Sequence, residues 1–418
     1  MKVVIIGNSA AGINALEEFR KYDKESEVTL ISKEGGVAYS RVLLPYYLRG
    51  KVDYDTFFIR DNDFYKEMNT RYIEATVTNI DDEKRVVEID NGEVFPFDKL
   101  LIATGASAIK PPIEGLAGEG VYNMWTLEDV KNIEPLFKKG NRVLVLGSGF
   151  VSLQAAWAAI CKGLDVTIYE LAPRIMPRVL DDMGAKLLRE RIIEHGAKLH
   201  VNTLTQRIER KEDGTMEVHA KDKGPFEVDL IIVGTGVRPN IGFLENTSVN
   251  LDRGILVDEK METNVSGIYS AGDVAQGPTA FGEKHVIHAL WPTAIEMGKI
   301  AGANMAGEER SYEGSLNMNV TQLFEITVAS MGRFMDEEGN EIWEHYDGKE
   351  GSYLKVVLED GIPVGGTIAG GSDLVAFLGV LRPFIRKKQR IEDSPEKLME
   401  TLHKKIASTP TKNILEVI

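Results

Sequence analysis

Lys2-Val-Val-Ile-Ile-Gly7-Asn-Ser9-Ala-Ala-Gly12 decides the fold of this chain. An apolar run of strand length enters a glycine turn, and small residues then open an alanine-containing helical stretch. The same order returns at Arg142-Val-Leu-Val-Leu-Gly147-Ser-Gly149-Phe150-Val151-Ser152. A pyrophosphate needs backbone N–H groups and a helix N-terminus close by, and glycine removes the Cβ that would block the approach. Two such units predict two dinucleotides bound side by side. Ser9 replaces the middle glycine of the first unit, which is tolerated if its side chain turns away. Ser152 holds the third position of the second, where a small residue suffices against the strand.

Each unit needs an acidic partner at the end of its second strand, about twenty residues on, to accept bonds from the ribose hydroxyls. After Val28-Thr-Leu-Ile31 that place is held by Ser32, Lys33 and Glu34, with Glu34 the first choice and Ser32 the alternative. After Val166-Thr-Ile-Tyr169 it is held by Glu170. A carboxylate there accepts from free 2′ and 3′ hydroxyls and repels a 2′-phosphate, which favours NADH over NADPH. Arg174, four residues later, would soften that preference.

The remaining composition narrows the class. The 418 residues, 43% hydrophobic and 27% charged, suit a globular protein of about three domains. No run of ~18 apolar residues reads as a spanning helix, and the immediate strand at Val3 gives no sign of a leading signal segment. The net charge of -15 argues against general nucleic-acid or anionic-membrane binding. The exception is Arg382-Pro-Phe-Ile-Arg386-Lys387-Lys388-Gln-Arg390, either a solvated helix face or a docking patch for an acidic protein. The lone cysteine, Cys161, offers no disulfide framework, cluster or metal site, which points to the cytoplasm. On the alanine-rich helix after the second turn it reads as an inert packing thiol.

Between the two units, residues 72–100 alternate as a β-meander or hairpin with an Asn91-Gly92 turn, and Leu100-Leu-Ile-Ala-Thr104-Gly105 reads as a buried strand ending in a glycine. Pro111-Pro112 marks a boundary, and helices are expected over residues 125–139, 181–195 and 293–306. Beyond Tyr312 the expectation is short strands, among them 327–330 and 353–358, closed by helices around 373–388 and 395–405.

Ala103-Thr104-Gly105, Gly234-Thr235-Gly236-Val-Arg-Pro-Asn240 and Tyr269-Ser-Ala-Gly272-Asp273-Val274 resemble the two-dinucleotide flavoproteins, the class of glutathione reductase, rubredoxin reductase and NADH oxidase. The resemblance is specific over residues 1–310. It implies an α/β fold of two Rossmann-like, three-layer ββα dinucleotide-binding domains with a smaller α+β C-terminal interface domain. Residues 1–110 and 243–310 would form the FAD domain, 111–242 the NAD(H) domain and 311–418 the interface domain, with a homodimer as the default assembly. FAD would be held by Gly7, Ser9, Ala10, Ala11, Gly12, the Ser32–Glu34 strand end, Val77 and Ala103–Gly105. Asp273, after Gly272, would hold the ribityl chain. His288-Ala-Leu-Trp291-Pro-Thr-Ala294 resembles the segment beside the flavin pyrimidine, with Trp291 and Ala294 as contacts. Nicotinamide dinucleotide would be held by Gly147, Gly149, Phe150, Val151, Glu170 and Gly234–Gly236.

Ala38-Tyr39-Ser40-Arg41-Val-Leu-Leu-Pro-Tyr46-Tyr47 looks like the loop of rubredoxin reductases and of the flavin domain of NAD(P)H nitrite reductases, and sets Arg41 beside the FAD. Relatives that reduce peroxide, oxygen or coenzyme A disulfides carry a reactive cysteine here. This chain has Ser40, which cannot form a sulfenic acid or persulfide. By the resemblance, Gln154 stands where many members have a glutamate, and Tyr46 where some of them pair it with a lysine near the flavin N5, so an ion pair would become a neutral pair. No metal ligand set is present and no side chain need act as acid or base. The expected activity is hydride transfer from NADH to FAD, then electron delivery to an external carrier, such as an acidic iron–sulfur protein of the rubredoxin or ferredoxin type docking near Arg382–Arg390. The rival expectations are an NADH oxidase or quinone or dye reductase without a redox cysteine, and an FAD-binding subunit of a larger redox complex.

Overall fold

Val3, Val4, Ile5 and Ile6 are apolar on both faces of a strand, as a parallel strand covered by layers on each side requires, and all four are buried. They form β1 (Lys2–Ile6), followed by α1 (Ala10–Tyr22) and β2 (Glu27–Ser32). The computed structural model describes residues 1–282, 285–371 and 374–391, together with Lys397. Two compact units make up the chain: Met1–Asp165 with Thr205–Leu316, and Val166–Leu204 with the described residues from Asn317 on.

In the first unit the loop after β2 forms α2 (Leu44–Leu48) and α3 (Phe64–Glu67), then β3 (Thr70–Glu74). Of the meander or hairpin expected here, the meander forms, as β4 (Val77–Asp81), β5 (Val86–Ile89) and β6 (Val94–Pro96); β7 (Lys99–Ile102) ends before the expected Gly105, whose φ of 64 leaves the strand, and β8 (Ala106–Ala108) follows. Next come β9 (Val121–Tyr122), α4 (Leu127–Ile133), β10 (Arg142–Leu146) and α5 (Phe150–Cys161). α4 starts on a capping box between Thr126 and Asp129. The helix expected over 125–139 stops short because Pro135 turns it into a 3₁₀ turn at Glu134–Leu136.

The second unit begins with β11 (Asp165–Tyr169), which the unit boundary cuts at its first residue, α6 (Asp182–Glu194) and β12 (Lys198–His200), with β11 and β12 parallel. The chain then re-enters the first unit as the meander β13 (Thr205–Arg210), β14 (Met216–Ala220) and β15 (Phe226–Val228), then β16 (Leu230–Val233) and β17 (Val237–Pro239). β18 (Ile255–Leu256), β19 (Ile268–Ser270), β20 (Ala275–Gln276) and α7 (Trp291–Met305) complete it.

Two parallel sheets result in this unit. One runs β19-β7-β1-β2-β3, the other pairs β10 with β16 and β16 with β9. The chain leaves the first sheet through β8 and returns through β17, and these two strands pair antiparallel, Ser107 opposite Arg238. α1 and α7 lie against each other so closely that a Cβ on Gly298 or Gly302 would drive into the carbonyl oxygens of Ala11 and Ala15.

The second unit continues as β21 (Met318–Leu323), β22 (Ile326–Gly332), β23 (Glu341–Asp347), β24 (Ser352–Glu359) and β25 (Ile362–Gly370), one antiparallel sheet in the order β21-β22-β25-β24-β23. α8 (Val375–Lys387) covers it with Phe377, Leu378, Leu381 and Ile385, an apolar stripe at helical spacing. The expected helix at 395–405 lies outside the described residues. No helix among the described residues is long and apolar enough to cross a membrane.

Candidate functional site

The first glycine turn is as tight as its sequence requires. Gly7 has φ +120, and a Cβ on it would overlap the Ala103 carbonyl. Gly12 lies on the Gly7 carbonyl in the same way. Ser9 is the residue before α1, its side chain caps nothing, and no acidic residue sits in the helix's first turn. The leading N–H groups of α1 are thus left to an anion. Gly272, with φ +80, sits where two helix starts meet: a Cβ there would lie 3.1 Å from the Ala11 Cβ and 3.6 Å from that of Ala294. The structure thereby gathers Gly7, Ala11, Gly12, Ala103, Gly272 and Ala294 around one point.

Asp273 follows directly. Its carboxylate has no hydrogen-bond partner among the described residues, and burial pushes its pKa up to about 6, with Arg41 the nearby charge that partly offsets this. Arg41 donates through Nη1 to the Trp125 carbonyl at 2.6 Å and pairs through Nη2 with Glu34. Tyr39 donates to the other Glu34 oxygen at 2.5 Å and accepts from the Leu127 N–H at 3.1 Å. Burial holds the Tyr39 phenol well above its usual range, so it stays a donor. Sequence reasoning missed Tyr39 and Trp125 as the residues that fix Glu34 and Arg41; their spacing has no motif, and only the aromatic content of the loop hints at them.

Ser32 hydrogen-bonds inward, its hydroxyl donating to the Glu34 carbonyl at 3.0 Å, while Lys33 is exposed. Val77 opens β4 half-buried. Ser40 is buried and its N–H donates to the Phe57 carbonyl at 2.8 Å. Thr104 and Asn240 bond reciprocally, Thr104 Oγ1 to the Asn240 carbonyl at 3.0 Å and Asn240 Nδ2 to the Thr104 carbonyl at 2.9 Å. Trp291 starts α7 and packs on the core, and His288 Nδ1 lies 2.6 Å from Ser315 Oγ, with burial lowering the imidazole's pKa.

The second turn solves the same problem differently. A Cβ on Gly147 would stand 2.5 Å from the Gly234 carbonyl. Ser152, fully buried, donates its hydroxyl to that carbonyl at 2.9 Å. Gly149 precedes α5 with open space where its Cβ would be, no side chain caps the helix, and Phe150 and Val151 form its first turn. Thr235 and Gly236 are exposed, and Thr235 Oγ1 donates to the Ile109 carbonyl at 3.0 Å.

Gln154 is buried on α5. Tyr46, on α2, does not stand bare where an ion pair was missing: Arg49 lies over its ring at 4.6 Å and over that of Trp157 at 3.9 Å. A cation between two rings now joins α2 to α5. Cys161 corrects the expectation of a packing thiol. It is exposed, because it is the last residue of α5 and the helix's buried stretch ends at Ala159.

In the second unit, Glu170 directly follows β11. Its N–H donates to the His200 carbonyl at 2.9 Å, its own carbonyl accepts from Thr203, and its Oε1 accepts the Ala172 N–H at 2.7 Å. The carboxylate is held by backbone, leaving a carboxylate of defined direction at the strand end.

Two uncapped helix starts lie over glycine turns, and in the sequence a carboxylate stands just beyond each following strand, Glu34 after β2 and Glu170 after β11, the pattern of a two-dinucleotide oxidoreductase. The chain belongs to the pyridine nucleotide-disulphide oxidoreductase family, whose profile matches residues 1–298. It is 30% identical to an NADH oxidase of Methanocaldococcus jannaschii, over 94% of this chain and 93% of that protein. It is 29% identical to the epsilon subunit of NADH-dependent phenylglyoxylate dehydrogenase of Aromatoleum evansii, over 87% of each. It is 29% identical to the rubredoxin-NAD(+) reductase of Pseudomonas putida, over 73% of this chain and 80% of that one.

Proposed function

We propose that this protein is an FAD-dependent NADH:acceptor oxidoreductase that delivers electrons to a separate iron–sulfur carrier of the rubredoxin or ferredoxin type. The observation that carries the reading is Asp273: a desolvated carboxylate without a protein partner among the described residues, beside the Gly7 turn and the starts of α1 and α7. Such a group is costly unless a ligand donates to it, and the ribityl hydroxyls of FAD are such donors. The residues fit the cofactor. Gly7, Ser9, Ala10, Ala11 and Gly12 present backbone to a pyrophosphate, and Glu34, directed by Tyr39 and Arg41, accepts from ribose. Bound FAD would accept the nicotinamide hydride as a pair of electrons and release them singly. The protein's part is alignment and exclusion of water. The Gly147–Gly149 turn is suited to the NADH pyrophosphate, and Glu170, whose direction its own unit fixes, is suited to ribose hydroxyls. Gly105, Val77, Trp291 and Ala294 belong to the FAD side, and Thr235 and Gly236 to the NADH side.

The carrier is external because the sequence holds one cysteine, exposed at the end of α5, and Ser40 in the loop where relatives place theirs. Arg382, Lys387, Lys388 and Arg390 are exposed at the end of α8, a basic surface on an otherwise acidic chain. Charge complementarity favours an acidic carrier there. We read the working form as a cytoplasmic homodimer, with residues 1–110 and 243–310 as FAD domain, 111–242 as NAD(H) domain and 311–418 as interface domain.

The likeness to an NADH oxidase over nearly the whole chain favours a second reading, in which oxygen or a quinone reoxidises the flavin. One experiment separates them. The protein is purified anaerobically, bleached with NADH, then exposed in turn to oxygen and to rubredoxin and ferredoxin while its visible spectrum is followed. Rapid recovery with the iron–sulfur proteins alone supports the first reading, and rapid recovery with oxygen alone supports the second. Bleaching that no added acceptor reverses would assign the chain to a larger redox assembly. Failure to bind FAD or to bleach with NADH would overturn all of these.

A further inference from the structure

The meander of β13, β14 and β15 carries a row of like charges across its outer face. Alternation buries Ile208 and Val218 on one side and leaves Glu209, Glu217 and His219 on the other. The register sets Glu209 opposite Glu217, and Glu217 opposite Glu227. Like charges directly opposite each other are destabilising. The second of these pairs is bridged: Lys211 Nζ lies 3.0 Å from Glu217 Oε2 and 2.5 Å from Glu227 Oε1. The first pair has no bridging lysine or arginine among the described residues. Arg207 reaches only Glu209 Oε1, at 2.7 Å. The other oxygens of this pair turn to His219, whose Nε2 lies 3.1 Å from Glu217 Oε1 and 3.7 Å from Glu209 Oε2. That nitrogen is shut off from solvent and makes no hydrogen bond.

We propose that Glu209, Glu217 and His219 bind a divalent cation of the zinc type. Their three donor atoms lie within 4.8 Å of one another. Ligands ~2.0–2.1 Å from a tetrahedral ion stand roughly 3.3 Å apart, between the two distances that His219 makes. An imidazole nitrogen with two carboxylate oxygens suits zinc better than magnesium or calcium, which take oxygen ligands. The two carboxylates balance the charge of the ion, and water completes the tetrahedron. The second oxygen of each carboxylate is already held, by Arg207 and by Lys211, so the ligands are oriented before the ion arrives. The same two cations make binding weaker than in a site of bare carboxylates. The sequence carries no contiguous ligand string and so predicts no metal set; the register of two strands assembles one. The site is set apart from the nucleotide turn. Arg142, which binds Glu227 and Asp229, opens β10, whereas Gly147 follows the other end of that strand. The ion ties β13 to β14 and takes no part in electron transfer, so the proposal does not depend on the flavin reading.

The test is calorimetric titration of the purified, EDTA-stripped flavoprotein with zinc chloride. One equivalent should bind, a large excess of magnesium or calcium should not displace it, and the melting temperature should rise with zinc concentration. His219→Ala and, separately, Glu209→Gln should each weaken binding by about tenfold or more. Glu209→Gln keeps the shape of a half-exposed side chain, so a loss there is a loss of ligand charge and not of fold. Cys161→Ser, which removes the exposed thiol, should leave binding unchanged. The proposal is overturned if the wild-type protein takes up no zinc, if binding survives both ligand substitutions, if Cys161→Ser abolishes it, or if zinc lowers the melting temperature.

Discussion

Gly298 of α7 lies directly on the backbone carbonyl of Ala11 in α1, with no room for a methyl group between them. One turn on, Gly302 meets Ala15 in the same way. The two helices approach backbone to backbone, which brings both their first turns to Gly272 and so to the carboxylate of Asp273. The proposed cofactor site is built by this contact as much as by the glycine turn that announces it.

Gly298→Ala should therefore destabilise the protein by about 1–3 kcal/mol, since overpacking outweighs the ~1 kcal/mol that alanine gains over glycine in a helix. Thermal melting of the FAD-free protein measures the first effect. The ratio of flavin to protein absorbance after purification, which should fall, measures the second. A variant as stable and as yellow as the wild type would show that the helices part without cost.

Asp273 has a pKa raised to about 6 from 3.8, so ionising it costs the folded, FAD-free protein stability. The folded state binds the proton more tightly than the unfolded state, so this contribution is fully present below about pH 4 and is lost as pH rises through 6. Asp273→Asn should raise the melting temperature of the FAD-free protein at pH 7.5, by about 1–3 kcal/mol of stability, with the gain vanishing near pH 4. The same variant should bind FAD poorly. A gain independent of pH would show that charge is not its source.

Ser152 hydrogen-bonds the Gly234 carbonyl from a fully buried position. Ser152→Ala should cost about 1–2 kcal/mol because that carbonyl loses a partner in the interior. Chemical denaturation compares the two proteins. A difference below about 0.5 kcal/mol would mean the hydroxyl fills space and does nothing else.

Charge reversal of Arg386, Lys387 and Lys388 to glutamate should slow reduction of an iron–sulfur carrier by about tenfold or more at low salt. The rate at which NADH bleaches the flavin should stay within about twofold, measured by stopped flow. Equal carrier reduction in both proteins, or loss of the difference at low rather than high salt, would move the docking surface elsewhere.

Much of the site was legible because its chemistry forces rare residues into short strings. Gly7 and Gly12 must be glycines to touch the Ala103 and Gly7 carbonyls, and Asp273 follows a Gly272 that only glycine suits. Gly298 and Gly302 were not legible: their partners lie near residues 11 and 15, and nothing local marks a long-range backbone contact. β23 was missed for another reason. Glu341-Ile-Trp-Glu-His-Tyr-Asp is a charged, mostly exposed edge strand, and lacks the apolar run by which a covered strand declares itself. Arg174 was read from spacing as a possible phosphate ligand, and only its contacts show that it is engaged elsewhere.

The reciprocal pair of Thr104 and Asn240 marks the point where the chain departs from its first sheet and comes back to it. This has a consequence in time. On the ribosome, β1 and α1 are made long before their neighbours β19 and α7, which emerge from residue 268 onward. At about 5–20 residues per second, the first nucleotide turn waits roughly 15–60 s for the helix that completes it. Flavin capture at this turn must therefore wait for α7, and until then the face of α1 that α7 covers stays open.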